Sequence, residues 1–319
     1  MYSEFAPFSL KNNTLFSEEF DDLYSSAKGA VAECNHVFIK GNNLNERFEN
    51  LGENSKFYIG EIGFGIGINF LTTCKSWLDH TKQNQVLEFY SFDKYLFRLS
   101  DFKTLNVSCP DLKEYISELE RNYPRNIQGA QKISLFGGRI ILNLIIGEID
   151  NTQEYIKLMD KVDAWYFDGF SPSKNPDLWS IKLFKCIHKS CHENTTFSTY
   201  TSSGLVKNNL TESGFNHSRA MGFSDKRHML KGTVDTQLKK NTSNTKVAVI
   251  GSGIAGCVLS YTLAKKGIEV DLYEKSDSIC SGASSHELLV TYPRLSAHDT
   301  AFGSFTLHSY IFATNFYKQ

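Results

Sequence analysis

Twice in this chain a short apolar run breaks into a glycine-rich turn and continues as a helix-like stretch, and that repetition most narrows the choice of fold. The first copy runs Lys56-Phe-Tyr-Ile-Gly-Glu-Ile62, then Gly63-Phe-Gly65-Ile-Gly67, then a predicted helix over residues 69–78. The second runs Lys246-Val-Ala-Val-Ile250, then Gly251-Ser-Gly253-Ile-Ala-Gly256, then a predicted helix over 257–266 stopped by Gly267. Strand, glycine loop and helix make a cradle for phosphate or nucleoside groups, because glycine lets backbone N–H groups approach a ligand with no Cβ in the way. The second copy carries the full spacing of a dinucleotide fingerprint. Residues 269–273 read as its returning strand, and Glu274 stands at the end, eighteen residues past Gly256. A glutamate there suits a ribose diol and argues against a phosphate on that ribose. A chain of 319 residues is long enough for about two domains.

Around the first copy, apolar runs repeatedly end at acids. Residues 87–92 end at Asp93, the continuous run 139–146 closes at Gly147-Glu148, and 162–167 ends abruptly at Asp168-Gly169 and Pro172. Residues 195–201 read as a fifth strand, and 215–223 with 226–233 as a hairpin turned at Ser224-Asp225. This is the pattern of a doubly wound α/β sheet, in which ligands bind outside the carboxyl ends of the strands. Asp93 is therefore placed for ribose hydroxyls, although its distance from Gly67 demands a long intervening helix or loop. Asp168 alone also reads as an Asp-Gly turn with a solvated carboxylate; the glycine loop and the neighbouring strand-end acids favour a site. Residues 1–54 form a polar and aromatic lead-in containing a strand-like Val37-Phe-Ile39. The expected division is a first domain over 1–235, a linker over 236–245 and a partial nucleotide-binding unit over 246–319.

Composition excludes several classes. With a formal net charge of −1 there is no global basic field, so a nucleic-acid partner has to be held by a local patch. Seven scattered cysteines, an odd number without framework spacing, imply reduced thiols and a cytoplasmic setting. No apolar run approaches the ~20 residues of a membrane span, and Met1-Tyr-Ser-Glu-Phe does not begin a basic-then-apolar leader. The Cys186, His188, Cys191, His192 spacing matches no familiar zinc pattern, so no metal is expected.

Glu61-Ile-Gly-Phe-Gly-Ile-Gly-Ile-Asn-Phe-Leu71, Asp163-Ala-Trp-Tyr-Phe-Asp-Gly-Phe-Ser-Pro-Ser-Lys-Asn-Pro176, Thr199-Tyr-Thr-Ser-Ser-Gly204 and Gly222-Phe-Ser-Asp-Lys-Arg-His-Met-Leu230 resemble the methyltransferase half of the bifunctional tRNA 5-methylaminomethyl-2-thiouridine biosynthesis proteins, the MnmC family. Gly251–Glu274, Ser281-Gly-Ala-Ser284 and Tyr292-Pro-Arg-Leu-Ser296 resemble the start of that family's FAD-dependent half. The resemblance implies a class I methyltransferase sheet followed by a partial FAD-type βαβ unit, with S-adenosylmethionine and FAD as cofactors and tRNA as partner. In such proteins the FAD half removes a carboxymethyl group from a wobble-uridine amine, and the methyltransferase half methylates the primary amine left behind. Two departures stand out. Ser190-Cys-His-Glu-Asn-Thr195 replaces the family's Arg-Pro-Gly-Gly turn, and the sequence stops at Gln319, so the second half reads as a fragment. Such a fragment is expected to retain no flavin unless a separate chain completes it. An FAD oxidoreductase with a substrate-positioning first domain, and a catalytically silent tRNA-binding protein, are the alternative readings.

Chemistry then assigns candidate roles. A primary alkyl amine is mostly protonated at neutral pH and cannot attack the sulfonium methyl until it loses a proton; a carboxylate placed at the amine can orient it and stabilise the charge that develops on nitrogen, the role given to Asp168. Glu61 and the Gly63, Gly65 and Gly67 backbone are expected at the methionine part of the cofactor, Asp93 at the ribose and Glu148 near the adenine. Gly251, Gly253, Gly256 and Glu274 are expected at the adenosine diphosphate of FAD. Phe170 and Tyr166 either stack on the base or belong to the core. Lys174, Lys207, Arg219, Lys226, Arg227 and Lys231 either contact phosphates or form a solvated face.

Overall fold

The computed structural model describes residues 3–11, 14–24, 29–103, 109–159, 161–235, 246–265, 267–295, 298 and 300–317; the expected linker 236–245, Lys266 and Ser296 lie outside them. Contacts divide the chain into two units, Met1–Gln237 with Arg294–Gln319, and Leu238–Pro293.

The lead-in of the first unit contains an antiparallel meander, β1 (Phe8–Lys11), β2 (Thr14–Ser17) and β3 (Asp22–Leu23). Helix α1 (Ala30–Cys34) runs on as a π-helical turn, Asn35–Ile39, before α2 (Leu44–Glu49). The strand expected at Val37-Phe-Ile39 is thus helical. All three of these residues are buried in succession, where a half-buried strand would alternate, and Phe38 stacks on Tyr166 at 4.7 Å.

The main sheet follows: β4 (Lys56–Ile62), helix α3 (Ile68–His80), β5 (Val86–Asp93), β6 (Gly129–Leu135), β7 (Ile140–Ile146), β8 (Val162–Phe167), β9 (Cys191–Thr199), β10 (Phe215–Met221) and β11 (His228–Val234). Its order is β10-β11-β9-β8-β4-β5-β7-β6. The five central strands are parallel, while β6 at one edge and the hairpin at the other run antiparallel. This is the doubly wound α/β sheet expected. Strand β6 has no counterpart in the sequence reading, because as an edge strand only every second residue (Gln131, Ile133, Leu135) is buried and one of these is polar. The sheet's two faces bury separate cores, one around Phe38, Phe70, Trp77 and Tyr166, the other around Trp165, Phe167, Trp179 and Phe197.

From β4 the chain winds to β5 and β7 on one side and returns to β8 on the other. The topological switch, the position where such sheets bind ligands, therefore lies between β4 and β8.

The second unit pairs β12 (Lys246–Ile250) with β13 (Glu269–Tyr273) in parallel, joined through the helix Ile254–Lys265. The helix Ala301–Phe316, which a boundary at residue 246 assigns to this unit, packs instead in the first one. His308 Nε2 bonds the Gln128 carbonyl at 2.6 Å, and Leu307 and Ile311 bury with Ile127. Among the described residues, no helix is long and apolar enough to cross a membrane.

Candidate active site at the sheet switch point

Beyond the switch point the ends of β4 and β8 come so close that the first loop residue has to be glycine. A Cβ on Gly63, whose φ is +98°, would meet the Asp168 carbonyl oxygen at 2.4 Å. Gly65 and Gly67 also have positive φ, and the turn delivers the chain into α3. The strand ends, this turn and part of the meander surround a cavity of about 770 Å³.

Asn69, in the first turn of α3, joins two acids. Its Nδ2 donates to Asp168 Oδ2 at 2.7 Å and to Glu61 Oε1 at 3.1 Å, while Ser91 Oγ donates to Glu61 Oε2 at 2.6 Å. Burial pushes the Glu61 carboxyl up to about 8 in spite of those bonds. Burial, and then the charges of Glu33 and Glu61, hold Asp168 well above the ordinary carboxylate range. On the other side of the turn, Gly65 N donates to Asp93 Oδ2 at 2.7 Å and Tyr95 N to Asp93 Oδ1 at 3.2 Å; burial raises this carboxyl to about 6. Next to it, Lys94 Nζ bridges Glu19 at 2.5 Å and Glu148 at 2.7 Å.

The far wall is aromatic. Phe170 stacks on Phe20 with centroids 4.8 Å apart and meets the edge of Tyr24 at 5.0 Å. Two side-chain bonds fix the loop carrying Phe170: Tyr200 Oη donates to the Gly169 carbonyl at 2.8 Å and Trp179 Nε1 to the Phe170 carbonyl at 2.8 Å. Asp22 clasps the same loop by accepting from Ser171 N at 2.8 Å and Ser171 Oγ at 2.6 Å. At the mouth, Lys226 Nζ lies 3.9 Å from the Tyr200 ring centroid and 3.0 Å from Glu33 Oε1.

Gly63, Gly65, Asp93, Glu148, Asp168, Phe170 and Lys226 are thus brought to one cavity. Glu61 is fully buried behind Asn69 and does not line it, nor does Gly67, whose Cβ position abuts Phe64. Tyr166 is core, with no exposed surface and its hydroxyl 3.1 Å from Thr73 Oγ1. Lys174 pairs with Asp21 outside the lining. Arg219, Arg227 and Lys231 are exposed and Lys207 is half-buried, all outside the lining. Asn69, Asp22, Tyr24, Lys94 and Tyr200 are site residues that the sequence reading did not select. Asn69 and Tyr200 sit within motifs that it quoted, but the 19–24 segment has no periodicity to mark it.

In the second unit, Gly251, Gly253 and Glu274 line a depression of about 720 Å³. Gly251 has φ +97° and open space where a Cβ would stand, whereas a Cβ on Gly256 would meet the Gly251 carbonyl at 1.8 Å. The former leaves room for a ligand and the latter permits close packing of helix on loop. Glu274 Oε2 accepts from Ser252 N and Oγ, and Oε1 from Lys275 N and Ser276 N. Those bonds, led by Ser252, hold its carboxyl down to about 2, and they occupy the roughly four lone-pair directions a carboxylate offers. Among the described residues, no group of three or more His, Cys, Asp or Glu is arranged to hold a metal ion.

A family model described as an S-adenosyl-L-methionine-dependent methyltransferase matches residues 110–235, and one described as an NAD(P)-binding Rossmann-like domain matches 249–319. A Marinomonas sp. (strain MWYL1) protein named tRNA 5-methylaminomethyl-2-thiouridine biosynthesis bifunctional protein MnmC is 36% identical over 95% of this chain and 47% of its own length. A Legionella pneumophila (strain Lens) protein of the same name is 35% identical over 95% of this chain and 50% of its own. The chain therefore spans about half the length of the curated relatives it matches. The crystal structure of MNMC2 from Aquifex aeolicus aligns with a TM-score of 0.57 at 23% identity, covering 75% of this chain and 74% of that one, and so shares its fold. Across nearly its whole length, with a methyltransferase match preceding a nucleotide-binding match, the chain is similar to about half the length of the proteins named MnmC.

Proposed function

We propose that the first unit is a cytoplasmic tRNA methyltransferase that converts 5-aminomethyl-2-thiouridine to 5-methylaminomethyl-2-thiouridine, with S-adenosylmethionine supplying the methyl group. One observation carries this reading: the switch-point cavity is lined by eight acidic side chains and two lysines. A sulfonium cofactor and an alkylammonium substrate are both cations, which such a wall attracts, whereas nucleotide phosphates would be repelled.

The residues present fit the cofactor. Gly65 faces the cavity with nothing nearer to its Cβ position than Tyr24 at 3.5 Å, and two backbone N–H groups anchor the Asp93 carboxylate, a suitable acceptor for a ribose diol. Asp168 is the proton acceptor. Burial and neighbouring charge raise its proton affinity, so it can take a proton from the substrate ammonium that an ordinary carboxylate would leave in place; general-base assistance of this kind contributes about 10²–10⁴-fold. Phe170, braced by Phe20 and Tyr24, offers an aromatic wall for the base. The tRNA phosphates stay outside, near the exposed Arg227 and Lys231.

In the second unit, Gly251, Gly253 and Gly256 would hold the adenosine diphosphate part of FAD, and Glu274 would release one of its present donors to take a ribose hydroxyl. FAD, when bound, supplies the oxidising chemistry for carboxymethyl removal.

The test is to incubate tRNA carrying the aminomethyl nucleoside with the protein and S-adenosylmethionine, then to analyse the nucleosides by mass spectrometry. One added methyl on that nucleoside is expected. Calorimetric cofactor binding with no methylated nucleoside would refute the reading.

A further inference from the structure

An amide nitrogen carries two protons, and Asn69 gives one to each of two acids. Asp168 Oδ2 receives the first at 2.7 Å and Glu61 Oε1 the second at 3.1 Å, while Ser91 closes the other oxygen of Glu61 at 2.6 Å. The row Ser91, Glu61, Asn69, Asp168 thus ties β5, β4, α3 and the loop after β8 into one polar string at the bottom of the cavity. With Oδ2 held by the amide, Oδ1 is the Asp168 oxygen left for a substrate.

We propose that Asn69 is a positioning residue for the methyl transfer: one amide proton fixes the Asp168 carboxylate and stabilises its anion, and the other keeps Glu61 engaged away from the substrate. This rests on the reading of Asp168 as the amine's proton acceptor. The groups acting on Asp168 are Glu33 and Cys34 from α1, Glu61 from β4, Tyr200 after β9 and Lys226 from the hairpin turn. Glu33 and Glu61 oppose its ionisation. Lys226 favours it but is itself paired with Glu33, and burial keeps the Cys34 thiol and the Tyr200 phenol protonated. Asn69 therefore supplies the direct bond to the anion.

The experiment measures kcat and kcat/KM against pH for the full chain as wild type, Asn69→Ala and Asn69→Asp, using aminomethyl-bearing tRNA. For Asn69→Ala we expect kcat to fall about 10–100-fold with the KM for S-adenosylmethionine within a few-fold. The acid limb of kcat/KM should move up by about one pH unit, as expected for losing a bond to a charged acceptor. The substrate amine titrates identically in every variant, so the displacement belongs to the enzyme. Asn69→Asp keeps the shape, removes both donors and adds an acid, and should move the limb further. An unmoved limb, or a loss confined to thermal stability, overturns the role of Asn69 while leaving that of Asp168 intact. Absence of methylation by the wild type overturns the underlying reading, and this one with it. Should Asn69→Ala not fold, Asn69→Ser takes its place: an upward displacement supports the role and an unmoved limb overturns it.

Discussion

The Cβ that Gly63 lacks would lie 2.4 Å from the carbonyl oxygen of Asp168, so the glycine loop and the proposed catalytic acid are fitted to each other through backbone. Gly63→Ala forces a left-handed φ, at about 1–2 kcal/mol, and a backbone collision, at about 1–3 kcal/mol. Gly65→Ala meets only the first penalty, because its Cβ would touch Tyr24 at an ordinary 3.5 Å. Urea unfolding should therefore rank Gly63→Ala as clearly the less stable variant. Equal midpoints would show that the approach of β4 to β8 is not what demands the glycine.

Asp168→Asn should abolish methyl transfer and leave S-adenosylmethionine affinity within a few-fold. Asp93→Ala should do the reverse, weakening the cofactor by about 1–3 kcal/mol through lost charge-assisted bonds. Calorimetry and turnover on undermodified tRNA separate the two. Near-normal turnover by Asp168→Asn, or unchanged affinity in Asp93→Ala, would sink the corresponding role.

Glu61 makes stability depend on pH. An acid whose pKa is raised by folding binds its proton more tightly in the native state, so its contribution is complete below the unfolded value and disappears as pH rises through the folded one. For Glu61 that window runs from 4.5 to about 8, and Asp168 acts in the same direction. Glu61→Gln should lessen the decline in cofactor-free unfolding free energy between pH 5 and pH 8.5, by on the order of a few kcal/mol. Parallel pH curves for the two proteins would remove Glu61 as the cause.

Arg227 and Lys231 are exposed, whereas Lys226 is tied to Glu33 and the Tyr200 ring. Each released phosphate counterion contributes about 0.7–0.9 to the salt slope of log K. Replacing Arg227 and Lys231 together should lower the magnitude of that slope for tRNA by roughly 1.4–1.8. The single Lys226→Ala change should lower it by less than either of the others alone. An unaltered slope in the double variant would make these residues an ordinary solvated face.

What the sequence disclosed follows from how strongly each element is constrained locally. Strands buried on both faces, such as Ile140–Ile146 and Val162–Phe167, show apolar runs interrupted only by Asn143 and Asp163, and the glycine turns are legible because their backbone excludes other residues. Both were therefore readable together with the acids at the strand ends. The meander, the π-helical turn and β6 depend on tertiary contacts. Val37-Phe-Ile39 looks the same as a strand or a helix over three residues, and only the Phe38–Tyr166 stack decides between them. Asn69 escaped notice because its importance lies in reaching Asp168, 99 residues away, a relation that no local pattern encodes.

The clasp on the far wall also bears on how the molecule reaches its native state. Asp22 meets Ser171 across 149 residues, Asp21 meets Lys174 across 153, and Glu33 meets Lys226 across 193. Contacts this distant are won only after long loops have closed, and topologies rich in them fold slowly. During synthesis the lead-in precedes these partners: Glu19 and Tyr24 can meet Lys94 and Phe97 early, but the clasp itself waits for the loop after β8 and then the hairpin. The cavity is accordingly a late product of folding, and Phe20 and Tyr24 are aromatic groups without their Phe170 cover until the loop after β8 has been made. A chaperone that shelters the emerging amino-terminal segment would act on the same residues that later wall the site.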